Sequence, residues 1–210
     1  ARRRRRAGGA QADVYIRGGG FDQTLLLLDG MKMDDSQTGH HTLNMLIPIE
    51  LIERVEIIKG PAARIFGQNA FNGAINIVTK SAYKTRKGEF SAFLNNISGG
   101  SFGNFKYSVR GNISKNNYKG LINYSREKSN GYRYNTDYKT DNLFLKSSLS
   151  KNNPNTIVLA TLSNRKFGAN GFYASPDATD QYEETQTSLI GIYSRYLSLI
   201  HISEPTRLAT

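Results

Sequence analysis

The stretch NFKYSVRGNIS, residues 104–114, sets Phe105, Tyr107, Val109, Gly111 and Ile113 on one side and Lys106, Ser108, Arg110, Asn112 and Ser114 on the other. Such strict alternation predicts a β-strand with one apolar and one polar face. The polar face is what limits the fold. A packed core would not accept Lys106, Arg110 and Asn112, whereas water or a wet lumen would. Noisier versions of the pattern recur in GEFSAFLNNIS, KGLINYSRE, DNLFLKSSLS, TIVLATLSN and TQTSLIGIYSRY. The region 88–196 therefore reads as about six strands, with short connections that imply antiparallel pairing. Residues 114–120 and 150–155 are brief links, while 126–142 and 164–185 are long ones. Short turns at one end and long loops at the other are the habit of an outer-membrane barrel. The competing architecture is a soluble up-and-down sheet with one wet face.

Residues 12–80 have another texture. ADVYIRG alternates and stops at Gly18–Gly19–Gly20, and QTLLLLDG (23–30) is a continuous apolar run closed by Asp29–Gly30. The latter predicts a buried strand ending in a tight turn. MKMDDSQTGHHTLN (31–44) is polar and reads as a loop. Pro48 then opens PIELIE, where proline and the acidic Glu50 and Glu53 suit the start of a helix. RVEIIKG and AINIVTK add two strands, separated by a compact stretch punctuated by Gly60, Pro61, Gly67 and Gly73. The expected fold class is thus a mixed α/β domain over 12–80, a linker at 81–87, and antiparallel transmembrane β-barrel strands over 88–196, forming an incomplete barrel.

Chemistry is scarce. The absence of cysteine removes thiolate metal sites, disulfides and a cysteine nucleophile. Three histidines assemble no nucleophile–base pair. GGGF (18–21) precedes no helix, so it is no dinucleotide fingerprint, and GPAARIFG lacks the lysine–hydroxyl pair of a phosphate loop. Adjacent His40 and His41 lack the spacing of a metal site. Neither an enzyme nor a cofactor is expected. The net charge of +11 would raise nucleic acid as a partner, but Arg2–Arg6 supply five of those charges in one terminal run and the remainder is scattered. Nucleic acid is not expected as a partner. Residues 1–11 are set aside as an unreliable or disordered terminus. LSLIHISEPTR interrupts the strand pattern and resembles translated sequencing adapter, so 197–210 is read as an artefact.

IRGG (16–19), LLLLDG (25–30), DDSQTGHH (34–41) and above all PIELIERVEIIKGPAARIFGQNAFNGAINIVTK (48–80) resemble the plug domain of TonB-dependent outer-membrane receptors. FGANGFY (167–173) is similar to a loop in Bacteroidetes-type members, and the resemblance covers about residues 8–196. It implies a plug filling a 22-stranded barrel in a Gram-negative outer membrane. It also implies uptake of a scarce ligand of the iron–siderophore, haem or cobalamin class, driven by the TonB–ExbB–ExbD complex through an N-terminal TonB box. Rival readings within the family are glycan or peptide uptake with a surface lipoprotein partner, and a receptor that mainly signals. The chain begins after the place of a TonB box and signal peptide and ends after about six strands, which would make it a fragment unable to close a barrel.

The resemblance assigns residues as well. Asp34, Asp35, Gln37, His40, His41 and Asn44 would lie in the apical plug loop that touches ligand. Arg17, Lys59 and Arg64 would pair with barrel-wall carboxylates. Phe172 and Tyr173, with Tyr132, Tyr134 and Tyr138, would sit in or near long extracellular loops, contacting ligand or forming the interfacial girdle.

Overall fold

The computed structural model describes residues 16, 18, 23–33, 47–60, 69–82, 89–150, 155–171 and 175–195. They form two sheets. The smaller contains β1 (Thr24–Leu28), β2 (Met31–Met33), β3 (Ile52–Lys59) and β4 (Gly73–Thr79) in the order β2-β1-β4-β3. β1 runs parallel to β4, and the other two pairings are antiparallel. The apolar run 24–28 is buried along its whole length, as a central strand covered on both faces must be. Asp29 and Gly30 both take positive φ (50° and 83°), the geometry of a two-residue hairpin turn. That turn folds Met31–Met33 back onto β1, so residues read from their polarity as the start of a loop form a strand. At Gly73 φ is 155°, and a Cβ there would collide with the Ile58 carbonyl oxygen.

The helix expected at Pro48 is a single 3-10 turn, Ile49–Leu51. The Leu51 N–H donates to the Pro48 carbonyl at 2.9 Å, and Ile52 is already extended and paired with Thr79. Pairing with β4 captures the chain before a second helical turn can form, so tertiary contact overrides local preference. No α-helix occurs among the described residues.

The larger sheet is an antiparallel meander of β5 (Phe90–Gly99), β6 (Phe105–Lys115), β7 (Tyr118–Ser129), β8 (Tyr138–Ser150), β9 (Asn155–Gly168) and β10 (Tyr182–Arg195). It is open at β5 and β10. The strands reach further than the alternation of apolar residues suggests. β7 continues to Ser129, β8 begins at Tyr138, and β9 runs to Gly168. The long connections shrink accordingly to 130–137 and 169–181.

The polarity of this sheet is inverted relative to a soluble protein. Its inward face packs on the small sheet and is largely polar: Ser108, Arg110, Asn112, Asn123 and Thr161 are buried, with Arg110 0% exposed. Its outward face carries Leu94, Val109, Ile122, Leu145, Leu162 and Ile190 in the open, with Ile190 76% exposed. Each such side chain forfeits about 1.5–3 kcal/mol in water relative to an apolar surrounding. A band of them on one face calls for an apolar surrounding, as lipid supplies to a barrel wall. One apolar cluster joins the two sheets: Leu26, Leu28, Ile47, Leu51 and Ile77 from the small sheet and its flanks meet Leu121, Phe144 and Leu159 of the large one. Gly191 on β10 leaves room for Met31 to press against the wall.

Candidate functional site

The inward face of the large sheet and the small sheet meet in an interface whose ion pairs, among the described residues, lie at two ends. At the short-turn end Lys146 on β8 reaches across to Asp29, 3.0 Å away, with side-chain exposures of 8% and 5%. The ammonium also donates to Thr79 Oγ1 at 2.8 Å and to the Thr79 carbonyl at 3.2 Å. Asp29 in turn accepts from the Thr79 N–H at 2.9 Å and from the Thr79 hydroxyl at 2.5 Å. The carboxylate is fixed by its place in the hairpin turn, whose own N–H bonds the Ile77 carbonyl. Ammonium and carboxylate are thus surrounded by partners, which is what makes a buried pair tolerable. A cavity of about 550 Å³ opens beside them, lined by Asp29, Asn76, Thr79, Lys146 and Tyr193 among others.

At the long-loop end Lys106 on β6 meets Glu50 at 2.6 Å, with Glu127 3.7 Å away. Glu50 sits in the 3-10 turn, and its Oε1 also accepts from Asn96 at 2.8 Å. Burial by itself would raise the Glu50 pKa. The Lys106 hydrogen bond and charge, with backbone and Asn96 donors, outweigh it and hold the carboxyl below its ordinary 4.5. Lys80 donates to the Glu50 carbonyl at 2.8 Å, and between the two ends Arg110 donates to the Ser81 carbonyl at 2.7 Å. A second cavity, about 310 Å³, lies here between Ile47–Ile49 and a polar lining that includes Lys106, Glu127, Tyr138, Asn142 and Arg165.

Beyond this end the long loops are tied together. Arg133 donates to the Asn170 carbonyl, Asn170 to the Tyr134 carbonyl, and Asn135 to the carbonyls of Thr179 and Gln181. The Tyr134 hydroxyl bonds Asp180 at 2.7 Å, and that carboxylate raises its pKa.

Of the residues singled out in the sequence, the structure places a few. Lys59 lies exposed at the end of β3 and pairs with no carboxylate among the described residues. Arg17, Arg64, Asp34, Asp35, Gln37, His40, His41, Asn44, Phe172 and Tyr173 lie outside the described residues. Among the described residues the ion pairs between the sheets involve none of Arg17, Lys59 and Arg64. The wall supplies the cations Lys106 and Lys146, and the small sheet with its flank supplies Glu50 and Asp29. Tyr138 faces inward, its hydroxyl donating to Glu127 at 2.7 Å, and Tyr132 and Tyr134 stand on the loop. The outward aromatic border is instead made by Phe105, Tyr107 and Tyr124, with neighbouring ring centroids 6.1 Å apart. Asp29 could have been suspected from the Asp–Gly turn alone. Lys146 carried a weaker signal, a lysine directly after the apolar run Leu143–Leu145. Among the described residues no three His, Asp or Glu side chains gather as a metal site.

Residues 3–74 match the TonB-dependent Receptor Plug Domain, a match that starts within the arginine run set aside above. A vitamin B12 transporter of Vibrio vulnificus is 32% identical over 127 residues, which cover 60% of this chain and 20% of that protein. The iron-regulated outer membrane virulence protein of Vibrio cholerae is 38% identical over 79 residues, 35% of this chain and 12% of that one. The chain therefore spans a fifth or less of the length of these curated relatives. In three dimensions the chain is similar to the ferripyoverdine receptor of the Pseudomonas aeruginosa outer membrane. The TM-score is 0.56 at 17% identity, over 72% of this chain and 20% of that one, a likeness of fold.

Proposed function

Because the chain belongs to the TonB-dependent outer-membrane receptors, we propose that it is the plug and first barrel wall of a transporter for a scarce nutrient. The iron–siderophore, haem or cobalamin class is the substrate favoured. The protein resides in the outer membrane of a Gram-negative bacterium, in a family of transporters and receptors rather than enzymes. The observation that carries the reading is the interface itself. A small sheet is held against the polar face of a lipid-facing wall by ion pairs at both ends, with partly polar cavities beside them. A stopper that must move cannot be glued by apolar packing alone. Ion pairs next to water exchange for hydration as they part, which lowers the work of separation.

In this reading residues 12–80 are the plug and 88–196 the opening strands of a barrel that further strands close. Asp34–Asn44 forms the apical loop. Support for that placement comes from its anchors: Met33 and Ile47 are both buried in the cluster between the sheets, and Ile47 lines the cavity at the long-loop end. The TonB–ExbB–ExbD complex supplies the pull from the short-turn side, where the Lys146–Asp29 pair is the contact to be broken. The test is uptake of radiolabelled cobalamin, haem and ferric siderophores by cells lacking the gene and by complemented cells, with and without TonB. Restored, TonB-dependent uptake of one ligand is expected. Uptake of all of them unchanged by the deletion, or restored equally without TonB, would overturn the assignment.

A further inference from the structure

We propose that the crevice between Ile47–Ile49 and the inward wall binds an uncharged unit of the transported ligand, one rich in hydroxyl or carboxamide groups; this rests on the transporter reading. One row of the wall carries the inference. Asn96 on β5 stands opposite Ser108 on β6, Ser108 opposite Ser125 on β7, and Ser125 opposite Asn142 on β8. Asn142 stands opposite Ser163 on β9, and Ser163 opposite Thr187 on β10. Directly opposite residues share a face, so every strand of the wall gives this row a neutral hydroxyl or carboxamide. Ser125, Asn142, Ser163 and Thr187 line the cavity of about 310 Å³. The fold does not use up their capacity. The Ser163 hydroxyl donates to Asn142 Oδ1 at 2.7 Å. The Ser125 and Thr187 hydroxyls and the Asn142 amide donors form no hydrogen bond among the described residues.

Charge narrows the occupant. Lys106, Arg165 and Glu127 also line the cavity. Lys106 is held by Glu50 at 2.6 Å, with Glu127 3.7 Å away. Two cations thus face two carboxylates, and the crevice offers an anion no excess of positive charge. A strongly anionic iron chelate gains nothing there. A flat apolar ring finds aliphatic contact on the Ile47–Ile49 side alone. A neutral unit that both donates and accepts matches the row, because a site built to hydrogen-bond such groups rejects analogues that lack them. Size sets how much of the ligand enters. The cavity lies at the lower end of the about 300–1,000 Å³ of small-molecule sites. It takes one sugar unit or one carboxamide arm, and the rest of a larger ligand lies toward the long loops.

The test uses the whole receptor, purified from outer membranes in mild detergent, and measures Kd by equilibrium dialysis. The probes are cyanocobalamin, which carries carboxamides, maltotriose, which carries only hydroxyls, and an anionic ferric tricatecholate. One neutral probe should bind, and which one it is names the source of the recognised groups. The tricatecholate should bind at least about 10-fold more weakly. Asn142→Leu with Ser163→Ala removes both partners of one hydrogen bond and strands neither. It should weaken the bound neutral probe about 10- to 30-fold. Should that variant not give a heat-modifiable barrel, Thr187→Val should still weaken it about threefold. Glu127→Gln leaves two cations against one carboxylate and should tighten the tricatecholate about 10-fold. Neutral binding unchanged in both row variants would overturn the proposal and reduce the row to a lining for water. Binding of the tricatecholate with neither neutral probe bound would overturn it too. The transporter reading stands or falls separately, on TonB-dependent uptake.

Discussion

Replacing Lys146 by methionine should loosen the plug at its short-turn end. Removing one member of a buried ion pair costs about 3–5 kcal/mol when the other is left stranded. Asp29 is not wholly stranded, because the Thr79 N–H and hydroxyl still reach it. A carboxylate that keeps those two donors is less penalised than a stranded one, so the expected cost lies at or just below the lower end of that range, about 2–3 kcal/mol. The chain has no cysteine, and Ala82 is a buried small residue in the cluster between plug and wall. Ala82→Cys is therefore a single reporter that a thiol reagent reaches only when the plug lifts. At about 1.4 kcal/mol per decade the labelling rate should rise about 30- to 140-fold in Lys146→Met. Asp29→Asn should raise it by a similar factor. The double variant leaves no buried charge, so its rate should not exceed that of either single change, a coupling of about 2 kcal/mol. Rates that simply multiply in the double variant, or a rise under threefold in Lys146→Met with the barrel still heat-modifiable, would refute the latch.

Acid should act on the other end. The Glu50 carboxyl is held below 4.5, so its stabilising pair with Lys106 is complete above that value and is lost as pH falls through the lowered one. In Lys106→Met the acid transition of a dye on Ile49→Cys should move to higher pH, and an unchanged midpoint would dismiss the pair. Ile122→Arg, at an exposed position on the outward face, should cost about 2–4 kcal/mol if that face meets the lipid midplane. The readout is the folded fraction in urea titrations with lipid vesicles, and no loss would argue against a lipid-facing wall. Phe144→Ala removes a fully buried ring from the cluster joining the sheets. It should cost about 3–5 kcal/mol, measured by the same labelling at Ala82→Cys.

Much of the wall was legible because a strand reports its two faces every second residue, as Phe105–Lys115 does. The strand ends were not. Lys128, Lys139, Lys166 and Glu184 were read with the loops because they are charged, yet they stay paired because the outward face above the lipid is wet. The 3-10 turn at Ile49–Leu51 was misread as a helix because the competing partner, Thr79, lies elsewhere in the chain. The pairs that join plug and wall were beyond reach for the same reason. Nothing near Lys146 announces Asp29, and the family likeness suggested cations on the plug rather than on the wall.

The cluster between the sheets has a consequence for assembly. Leu26, Leu28 and Ile77 precede Leu121, Phe144 and Leu159 in the chain, so the ribosome delivers the stopper first and its seat afterwards. Until β7, β8 and β9 arrive, the smaller sheet presents a bare apolar face and an unneutralised Asp29. Pairing across such sequence separations is slow. The early segment must therefore wait, kept from sticking to itself, and its final shape is cast by the wall that arrives after it.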